Sequence, residues 1–408
     1  MGTPEGWRYL PLSELTENYD SLRIPVKEAD RKRGPYFYYG ASGKIDYIDS
    51  YIFNGEYLLI AEDGENLRTR KTPIAFLARG KFWVNNHAHI VRGNSNADTQ
   101  FLMFALKAAD IRGYLTGSTM PKLTQSNLNR IPIYTPPLSE QRAIAHILST
   151  LDDKIELTQQ MNRNLEALAQ AIFKSWFVDF DPVRAKMEGQ QPSGMDIETA
   201  ALFPDSFEDS PLGEIPKGWK SVSLGDVITL YDSKRIPLSN RERAQRKGQY
   251  PYYGAASIMD YVDDYLFDGV YVLMAEDGSV IDDEDHPVIQ YVWGKFWVNN
   301  HAHVLQGAKG VSNEHLMLFL KQYNIHPYVT GAVQPKLNQG NMLRIPFLLP
   351  STQVSAVFEA ELSRLYAIFR SNCEQSRTLA VIRDTLLPKL MSGEIRVKEA
   401  QMLVAAAA

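Results

Sequence analysis

The sequence predicts an α+β protein in which one domain occurs twice and two long helices, one after each copy, pack as an antiparallel coiled coil. The phrase KFWVNNHAH at positions 81 to 89 returns unaltered at positions 295 to 303. The motifs YYGA, AEDG and PKL also return, each 214 residues later. A repeat of this length indicates duplicated domains rather than a solenoid of short units. A long stretch without interior Pro or Gly follows each copy, which is typical of a long helix.

Each copy is predicted to be a compact α+β domain. The segments YIDSYIFNGEYLLIAEDG and YVDDYLFDGVYVLMAEDG mix aromatic and β-branched residues with Gly and Asp, which predicts short strands and turns. Segments 99 to 109 and 313 to 323 are predicted to be short helices.

The long helices are predicted from an apolar seam with 4-3-4-3 spacing. The seam residues are Ile144, Leu148, Leu151, Ile155 and Leu165 in the first helix and Phe358, Leu362, Leu365, Phe369 and Leu379 in the second. Polar residues interrupt both seams at matching places, Thr158 and Asn162 in one and Asn372 and Ser376 in the other. Because polar seam residues fix register, this match favours packing of the two helices on each other. Further along, Arg383 takes an expected apolar position and the seam drifts.

The predicted boundaries follow from these elements. They are a first domain at 1–137, its helix at 138–180, a linker rich in Gly, Pro, Gln and Ser at 181–215, a second domain at 216–350, its helix at 351–395 and a tail at 396–408. The first helix is expected to end near Phe180, because Asp181-Pro182 follows it.

Composition limits the classes of protein that fit. The apolar content of 44% and charged content of 22% are those of a globular chain, and the net charge of -5 excludes a uniformly basic surface. Nucleic-acid binding would therefore need local basic patches. A single cysteine, Cys373, excludes an intrachain disulfide and favours a reducing, cytoplasmic location. The sequence shows no signal peptide and no apolar run long enough to span a membrane, so no membrane partner is expected.

The repeated phrase supplies the first candidate site. In a strand Asn85, His87 and His89 would face one way and Asn86 the other. Asn can bond adenine bidentately, and His or Lys can reach a base edge or a phosphate. The DNA-binding candidates here are Lys81, Asn85, Asn86 and His87, with Lys295, Asn299, Asn300 and His301 in the second copy. The alternative is that these side chains satisfy buried strand ends. A metal site on His-x-His is less favoured, since no acidic partner stands at a recognisable ligand spacing.

Basic runs at corresponding loops supply further candidates. They are Arg31, Lys32 and Arg33 in the first copy, and Arg241, Arg243, Arg246 and Lys247 in the second. Two such runs in an acidic protein favour phosphate contact over a merely solvated face. The loops TGSTMPKL and TGAVQPKL add Lys122, Gln334 and Lys336, either as DNA contacts or as parts of a structural turn.

No phosphate-binding loop, dinucleotide turn, amino-methyltransferase motif or H-E-x-x-H motif is present in the sequence. We therefore expect a non-catalytic chain without a cofactor or metal of its own. The alternatives are a metal-dependent phosphoesterase that uses His87 and His89 with their copies, and a structural coiled-coil scaffold.

Two segments carry a family resemblance. They are PPLSEQRAIAHILSTLDDKIELTQQMNRNLEALAQAIFKSWFVDFDPV at 136 to 183 and RDTLLPKLMSGEIRV at 383 to 397. With the repeat, they resemble the specificity subunit of type I restriction-modification systems over essentially the whole chain. One departure is that Gln353-Val354-Ser355-Ala356 stands where the first helix has Ser139-Glu140-Gln141-Arg142, which puts any docking role of that signature in doubt for the second half.

The resemblance implies what the chain does and with which partners. It implies two target-recognition domains, each reading one half of a split double-stranded DNA sequence, held apart by the antiparallel helices. It also implies two methyltransferase subunits that carry S-adenosylmethionine, and two restriction subunits that carry ATP and Mg²⁺ in the full complex.

Adding one heptad to both long helices is expected to lengthen the gap in the DNA target by about three base pairs. Seven residues add about 10 Å of helix, and base pairs lie ~3.4 Å apart. Selection of binding sites from random DNA should return the same two half-sequences with a longer gap, at lower affinity because one half-site is rotated by roughly 100°. Recovery of the original gap at full affinity would show that the helices do not set the spacing.

Overall fold

The protein is described by a computed structural model that covers residues 4–331 and 333–407, and its α+β class is as predicted. The chain divides into two compact units. The first contains the residues up to Gln159 together with those from Cys373 onward, and the second contains Gln160–Asn372. Each unit thus holds one copy of the repeat and one half of each long helix.

The first unit is built on a six-stranded sheet with strand order β2-β7-β5-β6-β3-β4. Its strands are β1 (Arg8–Pro11), β2 (Thr16–Asn18), β3 (Tyr36–Gly40), β4 (Gly43–Ile48), β5 (Phe53–Ala61), β6 (Ala75–Val84), β7 (Ala88–Gly93) and β8 (Pro132–Thr135). The helices up to the end of the repeat are α1 (Asn66–Thr69), α2 (Thr99–Ala108) and α3 (Gln125–Asn129). Strands β3 and β6 pair in parallel. All the other pairs of the first unit are antiparallel, including that of β1 with β8.

The second unit repeats this order with additions before it. Helix α4 (Leu138–Phe177) is followed by α5 (Asp181–Met187), α6 (Ile197–Ala201), β9 (Phe207–Ser210), β10 (Gly213–Pro216), β11 (Lys220–Ser223), β12 (Ile228–Leu230), α7 (Asn240–Gln245), β13 (Lys247–Tyr253), β14 (Ile258–Val262), β15 (Phe267–Ala275), β16 (Ile289–Val298), β17 (Ala302–Gly307), α8 (Asn313–Leu320), α9 (Gln339–Leu343) and β18 (Pro346–Leu349). Its main sheet has the order β12-β17-β15-β16-β13-β14, which corresponds strand for strand to the first.

Helix α2 covers the first sheet as the predicted short helix. Asp98 caps it by accepting the N–H of Phe101, and six consecutive residues from Phe101 to Leu106 are buried. Helix α8 has the same place in the second unit and is capped by Ser312. The two short helices predicted from the sequence are confirmed.

Helices α4 and α10 (Thr352–Ser392) pack on each other within both units, as predicted. In the first unit Leu148, Leu151 and Leu379 are buried in the core. In the second unit Phe358 and Leu362 are fully buried. The remaining seam residues are buried or half-buried, namely Ile144, Ile155, Leu165, Leu365 and Phe369.

The polar interruptions of the two seams pair with one another. Thr158 Oγ1 lies 2.5 Å from Ser376 Oγ in the first unit. In the second unit Asn372 Nδ2 donates to Asn162 Oδ1 at 2.9 Å, and Asn162 Nδ2 donates to the Phe369 carbonyl at 3.1 Å. Pairing of buried polar groups fixes the register of the helices.

Arg383 explains why the seam drifts. Its Nη1 atom donates to Asp152 Oδ1 of α4 at 2.7 Å, and its Nη2 atom lies 2.8 Å from Asp384 Oδ1. A side-chain ion pair therefore replaces an apolar contact at this position of the first unit.

The end of the first long helix and the segment after it differ from the prediction. Helix α4 ends at Phe177, and Phe180 adopts a left-handed conformation with φ of 57°. Pro182 then lies in the first turn of α5. Backbone N–H groups in the first turn have no hydrogen-bond partner within the helix, so the missing N–H of proline does not destabilise it. The segment 181–215 is more than a linker, because Val183, Phe203 and Ile215 are buried in the core of the second unit.

The second long helix lies within its expected limits, whereas the tail forms a helix of its own. Pro388 lies inside α10, which continues to Ser392. The tail forms α11 (Val397–Ala407), and Ala400 within it is buried in the first unit. Among the described residues, no helix is both long enough and apolar enough to cross a membrane.

Asn372→Leu is expected to lower the free energy of unfolding by roughly 1 to 3 kcal/mol, because it removes the donor to a buried amide oxygen. The double variant Asn162→Leu with Asn372→Leu should recover most of this loss, since both partners become apolar. Urea unfolding measures both changes, and Ser371→Leu on the exposed face is the control. Equal losses in the single and double variants would show that the two amides do not act as a pair.

Candidate functional site

Residues Asn85, Asn86 and His87 form a turn between β6 and β7. The Oδ1 atom of Asn85 accepts a hydrogen bond from the backbone N–H of His87 at 2.8 Å, which closes an Asx turn. Asn85 and His89 are buried, whereas Asn86 and His87 are exposed. The prediction that Asn85, His87 and His89 share one face is therefore wrong, because the turn breaks the two-residue alternation of a strand.

This turn is fixed at both ends. The backbone N–H of Asn85 donates to the carbonyl of Tyr39 at 3.0 Å, and the carbonyl of His87 accepts from the N–H of Glu62 at 2.9 Å. The His87 Nδ1 atom also lies 2.8 Å from Asp63 Oδ2. The exposed Asn86 and His87 side chains are thus presented from a rigid support between the ends of β3 and β5.

His89 belongs to a buried network of charges under the turn. Its Nδ1 atom lies 2.5 Å from Asp20 Oδ2, and its Nε2 atom lies 2.7 Å from the carbonyl of Leu123. Since a carbonyl only accepts, Nε2 carries a proton, and an ionised Asp20 requires one on Nδ1 as well.

Arg23 and Glu62 complete the network. Arg23 Nη1 donates to Glu62 Oε2 at 2.8 Å and to the carbonyl of Ala88 at 2.7 Å, while its Nη2 atom lies 3.5 Å from Asp20 Oδ2. Lys122 Nζ lies 3.2 Å from Glu62 Oε1. The network therefore joins the first RIP motif, the AEDG turn, the repeated histidine phrase and the PKL loop.

The carboxylates of this network are held in their ionised form. Burial acts to raise the pKa of Asp20, but the hydrogen bond and charge of His89, the N–H of Ile90 and the charge of Arg23 outweigh it and lower the pKa. For Glu62 burial is likewise outweighed by Arg23, His89 and Lys122, so its pKa is also lowered.

The second copy reproduces this arrangement. His303 is buried, with Nδ1 2.6 Å from Asp232 Oδ2 and Nε2 2.9 Å from the Leu337 carbonyl. Arg235 Nη1 donates to Glu276 Oε2 at 2.9 Å. The turn of the second copy is also the same: Asn299 is buried, Asn300 and His301 are exposed, and His301 Nδ1 lies 2.7 Å from Asp277 Oδ1.

The side chains of Asp232, Glu276 and His303 lie close enough together to suggest a cation site. The guanidinium of Arg235 already contacts both carboxylates, at 2.9 Å from Glu276 and 3.3 Å from Asp232. Because that charge neutralises the cluster and His303 Nε2 is engaged with a carbonyl, the geometry favours a structural network over a metal site.

Two of the predicted DNA contacts have structural roles instead. Arg31 Nη1 donates to Asp46 Oδ2 at 3.0 Å, and its guanidinium lies 4.5 Å from the Tyr38 ring centroid. Arg243 is only 9% exposed, donates to the Leu238 carbonyl at 2.6 Å and lies over the Tyr252 ring. Both arginines hold their loops against the sheet through these contacts.

Other predicted cations and polar residues are accessible. Lys32, Arg33, Lys81, Lys122, Arg241, Lys247, Lys295, Gln334 and Lys336 are exposed, and Arg246 is half-buried. Lys81 and Lys295 lie over the rings of Tyr51 and Tyr265, at 4.7 and 4.6 Å. Arg246 and Lys247 form ion pairs with acidic neighbours, whereas the side chains of Lys32, Arg33 and Arg241 make none of the ion pairs found in the described part of the chain.

The sequence does not single out Asp20 or Glu62 as functional residues, and it places Arg23 in the first basic run, where phosphate contact rather than a buried network is expected. The available signal was that RIP and AEDG recur in both copies, although nothing in a single sequence shows that residues 39 and 69 positions apart meet. Their contacts with Lys122 and His89 join the repeated motifs in one network of ion pairs and hydrogen bonds.

The protein-family model described as the type I restriction modification DNA specificity domain matches residues 4–167 and 216–369. The chain belongs to this family. Among relatives, it is 26% identical over 423 residues to the type I restriction enzyme HindI specificity subunit of Haemophilus influenzae, covering 86% of each chain. It is 26% identical over 369 residues to the MjaIX specificity subunit of Methanocaldococcus jannaschii, covering 84% of this chain and 80% of the relative.

The fold is also shared with a solved structure of the type I specificity family. The crystal structure of the type I restriction-modification system S subunit from M. genitalium matches with a TM-score of 0.66 and 18% identity, over 96% of this chain and 97% of that one. The two matched ranges of the family model coincide with the two copies of the repeat and extend into the long helices.

His89→Ala is expected to destabilise the first unit by roughly 3 kcal/mol, because it leaves the buried carboxylate of Asp20 without its main partner. His87→Ala, two residues away, is the matched control. The exposed pair of His87 with Asp63 should contribute less than about 1 kcal/mol to the free energy of unfolding. Chemical denaturation monitored by tryptophan fluorescence distinguishes them, and equal effects would contradict the assignment of a structural role to His89 alone.

Proposed function

We propose that this chain is the DNA-reading subunit of a type I restriction-modification complex, with one half of a bipartite target read by each repeat. The observation that carries the proposal is the duplication of one surface. In both copies an exposed Asn-His turn stands on a buried charge network, beside a basic loop and a lysine from the PKL motif. Equivalent surfaces on two domains of one chain suit a target with two separate half-sites.

The polar groups of this surface match the chemistry of duplex DNA. The side chains of Asn86 and Asn300 can donate to and accept from a base edge, and His87 and His301 can donate to a base or a phosphate. The exposed cations Lys32, Arg33 and Arg241 suit phosphate contact. The buried residues Asn85, Asn299 and Arg243 and the half-buried Arg31 are left out of the proposed contact set.

The PKL lysines combine two roles in this proposal. Lys122 is about half exposed and pairs with Glu62, and Lys336 Nζ lies 3.6 Å from Glu276 Oε1. An ion pair to a half-buried carboxylate fixes the position of the amine while leaving part of its surface open to a phosphate. The charge network thereby orients one proposed phosphate contact in each copy.

The chain itself performs no chemical step in this proposal. It directs two methyltransferase subunits, which bring S-adenosylmethionine, and two restriction subunits, which bring ATP and Mg²⁺. The phosphoesterase alternative is weakened by the arginine that occupies the acidic cluster. A pure scaffold is weakened by the family membership, since the matched domain is named for DNA specificity.

The double variant Lys32→Ala with Arg33→Ala is expected to weaken DNA binding evenly across sequences and to reduce the slope of log K against log salt by about two. The measurement is DNA binding by the complex with its methyltransferase subunits at several salt concentrations. Lys217→Ala with Lys220→Ala, an equal loss of charge on exposed positions near β11, is the control. An unchanged slope in the first variant would remove this loop from the interface.

A further inference from the structure

A two-stranded ribbon forms the same edge of the main sheet in both units. Strands β3 and β4 pair as an antiparallel hairpin joined by two residues, and β4 is the last strand of its sheet. Strands β13 and β14 occupy the corresponding edge of the second sheet. Among the residues that the structure describes, no further strand pairs with the outer side of β4 or of β14.

The outer strand of each ribbon carries exposed apolar side chains in the same register. Ile45 and Tyr47 are 49% and 40% exposed, and Met259 and Tyr261 are 52% and 48% exposed. In each case the intervening acidic residue pairs with an arginine of the basic loop. A single exposed apolar residue is ordinary, but its recurrence at one position of both copies indicates a shared use.

Ile45 and Met259 lie at corresponding positions beside the start of the turn that presents the Asn-His pair. A Cβ atom placed on Gly40 would lie 3.2 Å from Nδ2 of Asn85 and 3.3 Å from Cδ1 of Ile45. In the second unit Asn299 Nδ2 lies 3.4 Å from Met259 Sδ. In each unit the exposed apolar residue therefore lies beside the buried asparagine from which the Asn-His turn starts.

Cationic side chains lie next to the exposed apolar residues, which favours a negatively charged binding partner. The carbonyl of Lys32 accepts from the N–H of Asp49, just past β4, so the basic run lies alongside the ribbon. Lys44 Nζ lies 3.9 Å from the Phe37 ring centroid on the same hairpin. In the second unit Lys247 Nζ lies 2.6 Å from Asp260 of β14. Because Lys247 is paired with Asp260, the cationic border is clearest in the first unit, where an apolar strip flanked by Lys32 and Lys44 complements the groove of a polyanionic duplex.

We infer that the two hairpins are the groove-reading elements of this protein, and that Ile45 and Met259 contact the C5 edge of a pyrimidine in the major groove. The inference rests on the proposed function. It adds which element of the protein contacts the bases and which feature of the base is recognised. The major groove of B-form DNA admits a two-stranded ribbon, and apolar side chains there distinguish the 5-methyl group of thymine. Because isoleucine stands in one copy and methionine in the other, the two half-sites need not carry the same base at this position.

The test is a methyl scan of the bipartite target with the complex of this chain and its methyltransferase subunits. Each thymine is replaced singly by uracil and each cytosine singly by 5-methylcytosine, on both strands, and the dissociation constant is measured. For the wild-type chain, the change at one pyrimidine in each half-site should alter affinity by about fourfold, the effect of burying one methyl group. Ile45→Ala should abolish the response in one half-site only, and Met259→Ala in the other half-site only.

Two matched variants control for the loss of an exposed apolar side chain. Ile197 on α6 and Met402 on α11 are 76% and 66% exposed, and their alanine variants should retain both methyl responses. All four variants should unfold at the wild-type temperature, because none of the side chains is buried. Methyl responses that persist in Ile45→Ala and Met259→Ala, or a wild-type scan without any response, would overturn the inference.

Failure of the inference and failure of the proposed function give different results. A complex that binds its target with a steep salt dependence but shows a flat methyl scan refutes only the role of the hairpins. A complex in which this chain confers no sequence preference refutes the proposed function itself. If Ile45→Ala binds DNA like the wild type but no longer assembles with the methyltransferase subunits, the exposed strip is a protein contact and the inference is wrong.

Discussion

The ion pair between Asp20 and His89, with its equivalent between Asp232 and His303, is the interaction on which each recognition domain depends. It joins a segment near the start of the repeat to the strand that follows the exposed turn, and Arg23 extends it to Glu62. Buried charges are costly unless each is paired and hydrogen-bonded. Here every charged group has a partner, so the cost of burial is offset and the arrangement is held in one geometry.

The same requirement for complete pairing appears in the helices. A polar residue in an apolar seam is tolerated because a second polar residue of the other helix meets it, as Thr158 meets Ser376 and Asn162 meets Asn372. Aliphatic side chains would pack there in several registers of similar energy, whereas hydroxyl and amide pairs match in one. Both the domains and the helices therefore use buried polar contacts to select one arrangement.

The features that follow from local periodicity could be predicted from the sequence, including the duplication, the short helices and the seam of the long helices. The directions in which the side chains of the repeated phrase point could not be predicted. They depend on the Asx turn at Asn85, which forms through one side-chain hydrogen bond that strand alternation does not reveal. The buried network was missed because it joins residues distant along the chain. The packing of Val183, Phe203 and Ile215 was missed because the composition of the surrounding segment is that of a linker.

The division of each long helix between the two units has a consequence for biosynthesis. The first unit needs the residues from Cys373 onward, so it cannot be completed until those residues have left the ribosome. The second unit is formed from one uninterrupted segment and can finish earlier. Until then the apolar seam of the first half of α4 has no partner from α10, and a nascent chain at this stage exposes a surface that a chaperone or a neighbouring chain can bind.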